Sequence, residues 1–155
     1  MPLWLIYHPS QSSFTTQESK QSLAEDITSI YTSAGLPAFY VSVNFIPLSN
    51  ENIFVGGKNP ENTFIRITVD HIAVHFRDNE AREKRVLAAV DKVLKKHVCD
   101  KGYEWEYHID ETPRSMWKIG GIEPPPFQSE AERKWFELGR AVEWKSEEEG
   151  NEKNA

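Results

Sequence analysis

Two spacings of apolar residues alternate along this chain. Leu3 to Tyr7 is a short apolar run ended by His8-Pro9-Ser10, which predicts a buried strand. Thr15-Thr16-Gln17-Glu18 has the form of a capping box, with Thr15 as N-cap and Glu18 three residues on. Behind it Leu23, Ile27, Ile30, Tyr31 and Ala34 recur at helical spacing, and Gly35 followed by Pro37 stops the helix. Phe39 to Ile46 alternates with period two and is aromatic and β-branched, which predicts a strand. Ile53-Phe54-Val55 before Gly56-Gly57 predicts a short hairpin arm.

The same order then recurs. Thr63 to Val69 predicts a strand, and Asp78 stands where it could cap a helix with the apolar stripe Val86, Leu87, Val90, Val93, Leu94 and Val98. Lys95, Lys96 and His97 sit at its C-terminal end, where cations suit the helix dipole. Glu104 to Ile109 predicts another strand. Strand–helix–strand thus occurs twice, offset by about 60 residues. Two such units can merge into one four-stranded mixed sheet with both helices on one face, an α+β fold made of a tandem β-α-β repeat. Residues 129–142 predict a C-terminal helix anchored by Trp135, Phe136 and Leu138. The expectation is one domain over 1–142 and an acidic, disordered tail over 143–155.

Composition narrows the function classes. The net charge of −6 leaves about −3 on the body once the five glutamates and two lysines after Val142 are set aside, so no basic face is available for nucleic acid. Five Trp and eight Phe imply aromatic packing or a buried interface. No apolar run approaches the roughly 20 residues of a membrane span, and no basic leader precedes Leu3, so an intracellular, cytoplasmic protein is expected. The single cysteine, Cys99, follows an apolar helix and is expected as a packed thiol.

Several residues carry candidate chemistry. Removal of Met1, which a small second residue permits, would turn Pro2 into a secondary amine. Such α-amino groups titrate near 7.7–8.0, and an apolar pocket lowers that value towards a free base at pH 7. Arg66 lies between apolar neighbours in a strand, either paired, with Asp70 as a candidate, or turned into a pocket to hold a carboxylate. His71 and His75 are four apart, but no third ligand stands at a recognisable spacing, so no metal is expected. Gly56-Gly57-Lys58 lacks the context of a phosphate loop and reads as turn chemistry.

Pro2 opening an apolar strand, the doubled β-α-β, Val43-Asn44-Phe45, Ile53 to Gly57, Trp105-Glu106-Tyr107, Glu111-Thr112-Pro113, Met116 with Gly120, and Trp135-Phe136 occur in an order that resembles the tautomerase superfamily. Within it, residues 2–137 resemble the cis-3-chloroacrylic acid dehalogenase group. The resemblance implies a homotrimer with each N-terminal proline in a pocket near a subunit interface, acting on small carbonyl or unsaturated carboxylic acids without cofactor or metal. It makes Pro2 the catalytic amine and Tyr107 the tyrosine that orients water or substrate. Tyr31 stands where the family has a helix-one histidine, Asp70 and Ala73 where it has paired arginines, and Lys118 where it has a water-activating glutamate. A one-residue shift would put His71 at the first arginine position. Arg114 and Lys118 lie in a loop that the family folds near the pocket.

The leading expectation is a cofactor-free keto–enol isomerase of a small carboxylic acid. Pro2 is its base, Tyr107 a substrate contact, and Arg66 or His71 neutralises the carboxylate or enolate. The rivals are a hydratase, dehalogenase or decarboxylase of three-carbon unsaturated acids, and a non-catalytic trimeric binding protein.

Overall fold

In the computed structural model, residues 2–72, 75 and 79–145 are described. The strands and α-helices follow as β1 (Leu3–Pro9), α1 (Gln17–Thr32), β2 (Ser42–Leu48), β3 (Phe64–His71), α2 (Glu80–His97), β4 (Glu104–Glu111) and α3 (Glu130–Leu138). The sheet order is β2-β1-β3-β4. Each repeat pairs its own strands in parallel, and the repeats join antiparallel through β1 and β3. This is the mixed sheet that the doubled pattern predicts.

Strand alternation decides what is buried. Trp4, Ile6 and His8 of β1 and Ile65, Ile67, Val69 and His71 of β3 all lie on one face and are 2% exposed or less. Leu23, Ile27 and Tyr31 of α1 and Val90 and Leu94 of α2 are buried in the same core, which both helices therefore cover from one side. The repeat extends past β-α-β. Thr16 and Asn79, the N-caps of α1 and α2, are 63 residues apart, and the bridges Val55–Lys58 and Ile119–Ile122 are offset by 64. Each bridge closes on two glycines with positive φ, from 57° at Gly56 to 85° at Gly121, which a two-residue hairpin turn of this hand demands.

Local details depart from the sequence pattern. Thr16, not Thr15, caps α1, its hydroxyl accepting from the Ser19 N–H at 3.2 Å. Ser12 caps a separate short turn over Ser13–Thr15, which takes Thr15 into its last position. The strand expected from Phe39 begins only at Ser42, because Ala38–Tyr40 coil into a 3₁₀ turn after Pro37 and bury Tyr40. An aromatic run suits end-on core packing as well as a strand. Asp78, the expected cap of α2, lies outside the described residues; Asn79 accepts from the Arg82 N–H. Leu87 is 41% exposed and leaves the stripe at its N-terminal end. Cys99 is exposed rather than packed, because Val98 is the last residue of the stripe to face the core.

The terminal helix is shorter than expected. Gly139, at φ 63°, ends α3 in a left-handed cap. Trp135 is its anchor, whereas Phe136 and Leu138 are 44% and 46% exposed. Beyond Val142 the chain is still held at Trp144, whose indole donates to the Glu123 carbonyl at 2.7 Å. The rest of the expected tail, 146–155, lies outside the described residues. No helix among the described residues is long and apolar enough to cross a membrane.

Candidate active site

The N-terminal end of β1 and the C-terminal ends of β3 and β4 meet at one edge of the core. Leu3 pairs with Asp70, so one further step of the antiparallel register sets Pro2 across from His71. Pro2 shares its face with Trp4, two residues on, and is buried. Its carbonyl accepts the Ser42 N–H at 2.9 Å, which ties it to the start of β2.

On the same face follow the imidazole of His71 across from Pro2, the phenol of Tyr31 against it, and a carboxylate two strands from Pro2 on β4. His71 is 2% exposed, and its ring stacks on Tyr31 at 5.8 Å between centroids. The Tyr31 hydroxyl accepts from the Trp4 indole N–H at 3.0 Å. Burial pushes the Tyr31 phenol up to about 12, against the opposing effect of the indole bond, so it is a neutral O–H at pH 7. On β4, Glu111 is in register with His71, and its carboxylate stands 3.8 Å from His75 Nδ1. Glu111 continues the face of Tyr107 and Ile109 in a strand two residues longer than its apolar pattern. That alternation was the signal by which sequence reasoning could have found it.

The other expected site residues are elsewhere. Tyr107 lies on the same face as Pro2 but two strands over and four residues from Glu111, roughly 16 Å away by strand spacing and rise. Its hydroxyl donates to Asp91 at 2.9 Å, and burial, then Asp91, raises its pKa. It lines an open cleft of about 450 Å³ with Val86, Leu87, Ile109, Glu83 and Glu111. Arg66 points to the helix-free face, opposite Pro2. It is paired there with Glu106, and one guanidinium nitrogen lies 2.8 Å from His108 Nδ1, so it neither holds a carboxylate in the pocket nor pairs with Asp70. Strand parity, with Ile65 and Ile67 buried on either side, dictates that direction.

Arg114 is a strut rather than a surface charge. It donates to Glu132 at 2.8 Å and to the Pro125 carbonyl, and lies over the Trp117 ring. Glu132, 1% exposed, also accepts the Gln128 N–H at 2.7 Å. Burial, then the Glu132 charge, raises the pKa of Tyr40 beside them. Lys118 is exposed in the loop before the Gly120-Gly121 turn. The residues brought together are therefore Pro2, Tyr31 and His71, with Glu111 and Trp4 added. Ala73 lies outside the described residues. Among the described residues no three His, Cys, Asp or Glu side chains form a metal-binding group.

Comparison with known proteins agrees with this fold. Residues 1–140 match the family model described as "Putative oxalocrotonate tautomerase enzyme". Native RhCC from Rhodococcus jostii is 38% identical, over 92% of this chain and 99% of that one, with a TM-score of 0.84. A protein from the thermophilic fungus Aspergillus fumigatus is 39% identical over 93% and 98% of the two chains, also at 0.84. A member of the cis-3-chloroacrylic acid dehalogenase family shares the fold at 18% identity, over 87% and 90% of the chains, with a TM-score of 0.64. No curated protein sequence matches the chain. A family match over residues 1–140 and a doubled β-α-β opening at Pro2 lead to one conclusion: this chain belongs to the matched family, within the tautomerase superfamily.

Proposed function

We propose that the protein is a cofactor-free isomerase that interconverts keto and enol forms of a small carbonyl acid, with Pro2 as its base. The observation that carries this reading is the position of Pro2, buried at the strand end across from His71 and beside the Tyr31–Trp4 pair. Removal of Met1 makes Pro2 a secondary amine, and an apolar setting disfavours the ammonium form, leaving a lone pair at pH 7. That lone pair takes the proton from the carbon beside the carbonyl. The C–H electrons become the C=C bond, and the carbonyl π pair moves to oxygen. Returning the proton from the prolinium to that oxygen gives the enol, with no net change of electrons. Tyr31 and His71 are the groups that would face the developing enolate or the carboxylate. Tyr107, too far from Pro2 in its own chain, would serve a neighbouring subunit in the homotrimer that the family resemblance implies.

The test is activity with Pro2 free and blocked. Met-free protein should convert phenylenolpyruvate to the ketone. The same protein with one residue retained before Pro2 has an amide there and should lose roughly 10²–10⁴-fold, the usual range for one acid–base group. Equal rates from both forms would sink the reading. Rate rising with pH as the amine deprotonates is expected of this base. A hydratase using protonated Pro2 would show the opposite slope.

A further inference from the structure

Trp4 is fully buried, and its indole N–H spends its one hydrogen bond on a residue 27 positions away, the hydroxyl of Tyr31. An indole can only donate, so Tyr31 accepts here and its own proton must point away from Trp4. Among the described residues that proton meets no acceptor, although Tyr31 is only 6% exposed. A buried O–H without an acceptor costs on the order of 1–3 kcal/mol, which folding alone gives no reason to keep. Among the described residues, the charged and titratable groups on this face of the edge are Pro2 on β1, His71 on β3 and Glu111 with His75 beside it.

We infer that Trp4 is a positioning residue, whose indole N–H turns Tyr31 into a fixed donor for a carbonyl or enolate oxygen of the substrate. This rests on the reading of Pro2 as the base and adds a requirement to it: the substrate must present a bare oxygen acceptor beside the carbon that exchanges its proton. The N–H on the phenol oxygen also polarises the O–H, strengthening it as charge builds on the substrate. The gain is larger for an enolate than for a ketone, so it falls on kcat rather than on KM.

The experiment is a double-mutant cycle on Met-free protein with phenylenolpyruvate. Tyr31→Phe, which keeps the ring on His71, should lower kcat by about 10²-fold, as loss of one oxyanion donor does. Trp4→Phe should lower kcat by a smaller factor with KM little changed, and should add nothing in the Tyr31→Phe background. Benzothienylalanine at position 4 removes the N–H at nearly constant volume, and serves where Trp4→Phe fails to fold. Additive effects, or a Trp4 variant that loses thermal stability but keeps kcat, would overturn the inference while leaving Pro2 as base. If Met-free protein turns nothing over, the Pro2 reading fails and this one is read from binding. Phenylpyruvate should then shift the Trp4 indole N–H resonance in wild type but not in Tyr31→Phe, and no shift in wild type would overturn it.

Discussion

The two ends of the sheet are built from equivalent parts of the repeat, yet only one can hold the chemistry proposed. At the 63-residue offset of the helix caps, His8 near the end of β1 corresponds to His71 at the end of β3. Both are buried on the helix face. The residue across from His71 is Pro2, where the chain can begin with an amine. The corresponding place across from His8 falls at Ile65, inside continuous backbone, where an amide has no basic lone pair. The protein groups also differ: Tyr31 and Glu111 stand by His71, whereas Phe14, Phe45 and Ser12 surround His8. The repeat supplies two similar cradles, and under the proposed function they differ in that Pro2 can become an amine whereas Ile65 cannot.

Replacing each histidine with alanine breaks the comparison most sharply. His71→Ala should lower turnover by about 10²-fold, the scale for one lost polar contact to the transition state. His8→Ala should leave turnover nearly unchanged but destabilise the fold by about 2–5 kcal/mol, as other core truncations do. Rates measured below both melting points separate the two. Equal loss of kcat in both variants would contradict the assignment of chemistry to one end.

A second asymmetry is the appendage after β4. The loop after Glu111 repeats the first unit as far as the Gly120-Gly121 turn, but the segment beyond Ile122, with α3, has no counterpart there. They are held by the pair of the half-buried Arg114 with the buried Glu132. Glu132→Ala removes the carboxylate that accepts from Arg114 at 2.8 Å, and should cost about 3–5 kcal/mol in urea denaturation. Glu132→Gln keeps an acceptor and should cost less. Indistinguishable costs would mean that the charge contributes nothing.

The architecture was legible where one periodicity ruled a whole element. Leu23, Ile27 and Tyr31, then Val90 and Leu94, face the core as the helical stripes require, and Pro2 at the head of an apolar strand suggested the site proposed above. Arg66 was misread as a substrate contact or a partner of Asp70, although its place between Ile65 and Ile67 turns it away from the core. What could not be read joins residues far apart in the chain. Trp4 to Tyr31 and Arg114 to Glu132 are pairings that no local spacing encodes. Phe39 to Val41 misled because β-branched and aromatic residues also fill the end of a sheet.

The smallest expected difference between the ends is a titration. His8 Nδ1 lies 2.9 Å from the Pro9 carbonyl and 2.8 Å from Ser12 Oγ, while Nε2 is buried with no partner among the described residues. Because a carbonyl can only accept, Nδ1 carries the proton and Nε2 is a bare lone pair. Burial lowers the pKa of His8 below its ordinary 6.5, the Pro9 carbonyl opposes that, and Lys20 on α1 adds to it. The unfolded chain therefore binds more protons between the two values, and stability rises with pH across that window. It is fully present above about 6.5 and is lost as pH falls through the lowered folded value. His8→Phe suits the contacts with Phe14 and Phe45 but leaves Ser12 without the imidazole, at a cost of roughly 1 kcal/mol. The variant should thus be less stable at pH 8, and its urea midpoint should fall less than that of wild type as the pH is lowered to 5. The other four histidines are common to both proteins, so the difference between the two curves isolates His8. Parallel curves would show that His8 is no harder to protonate folded than unfolded.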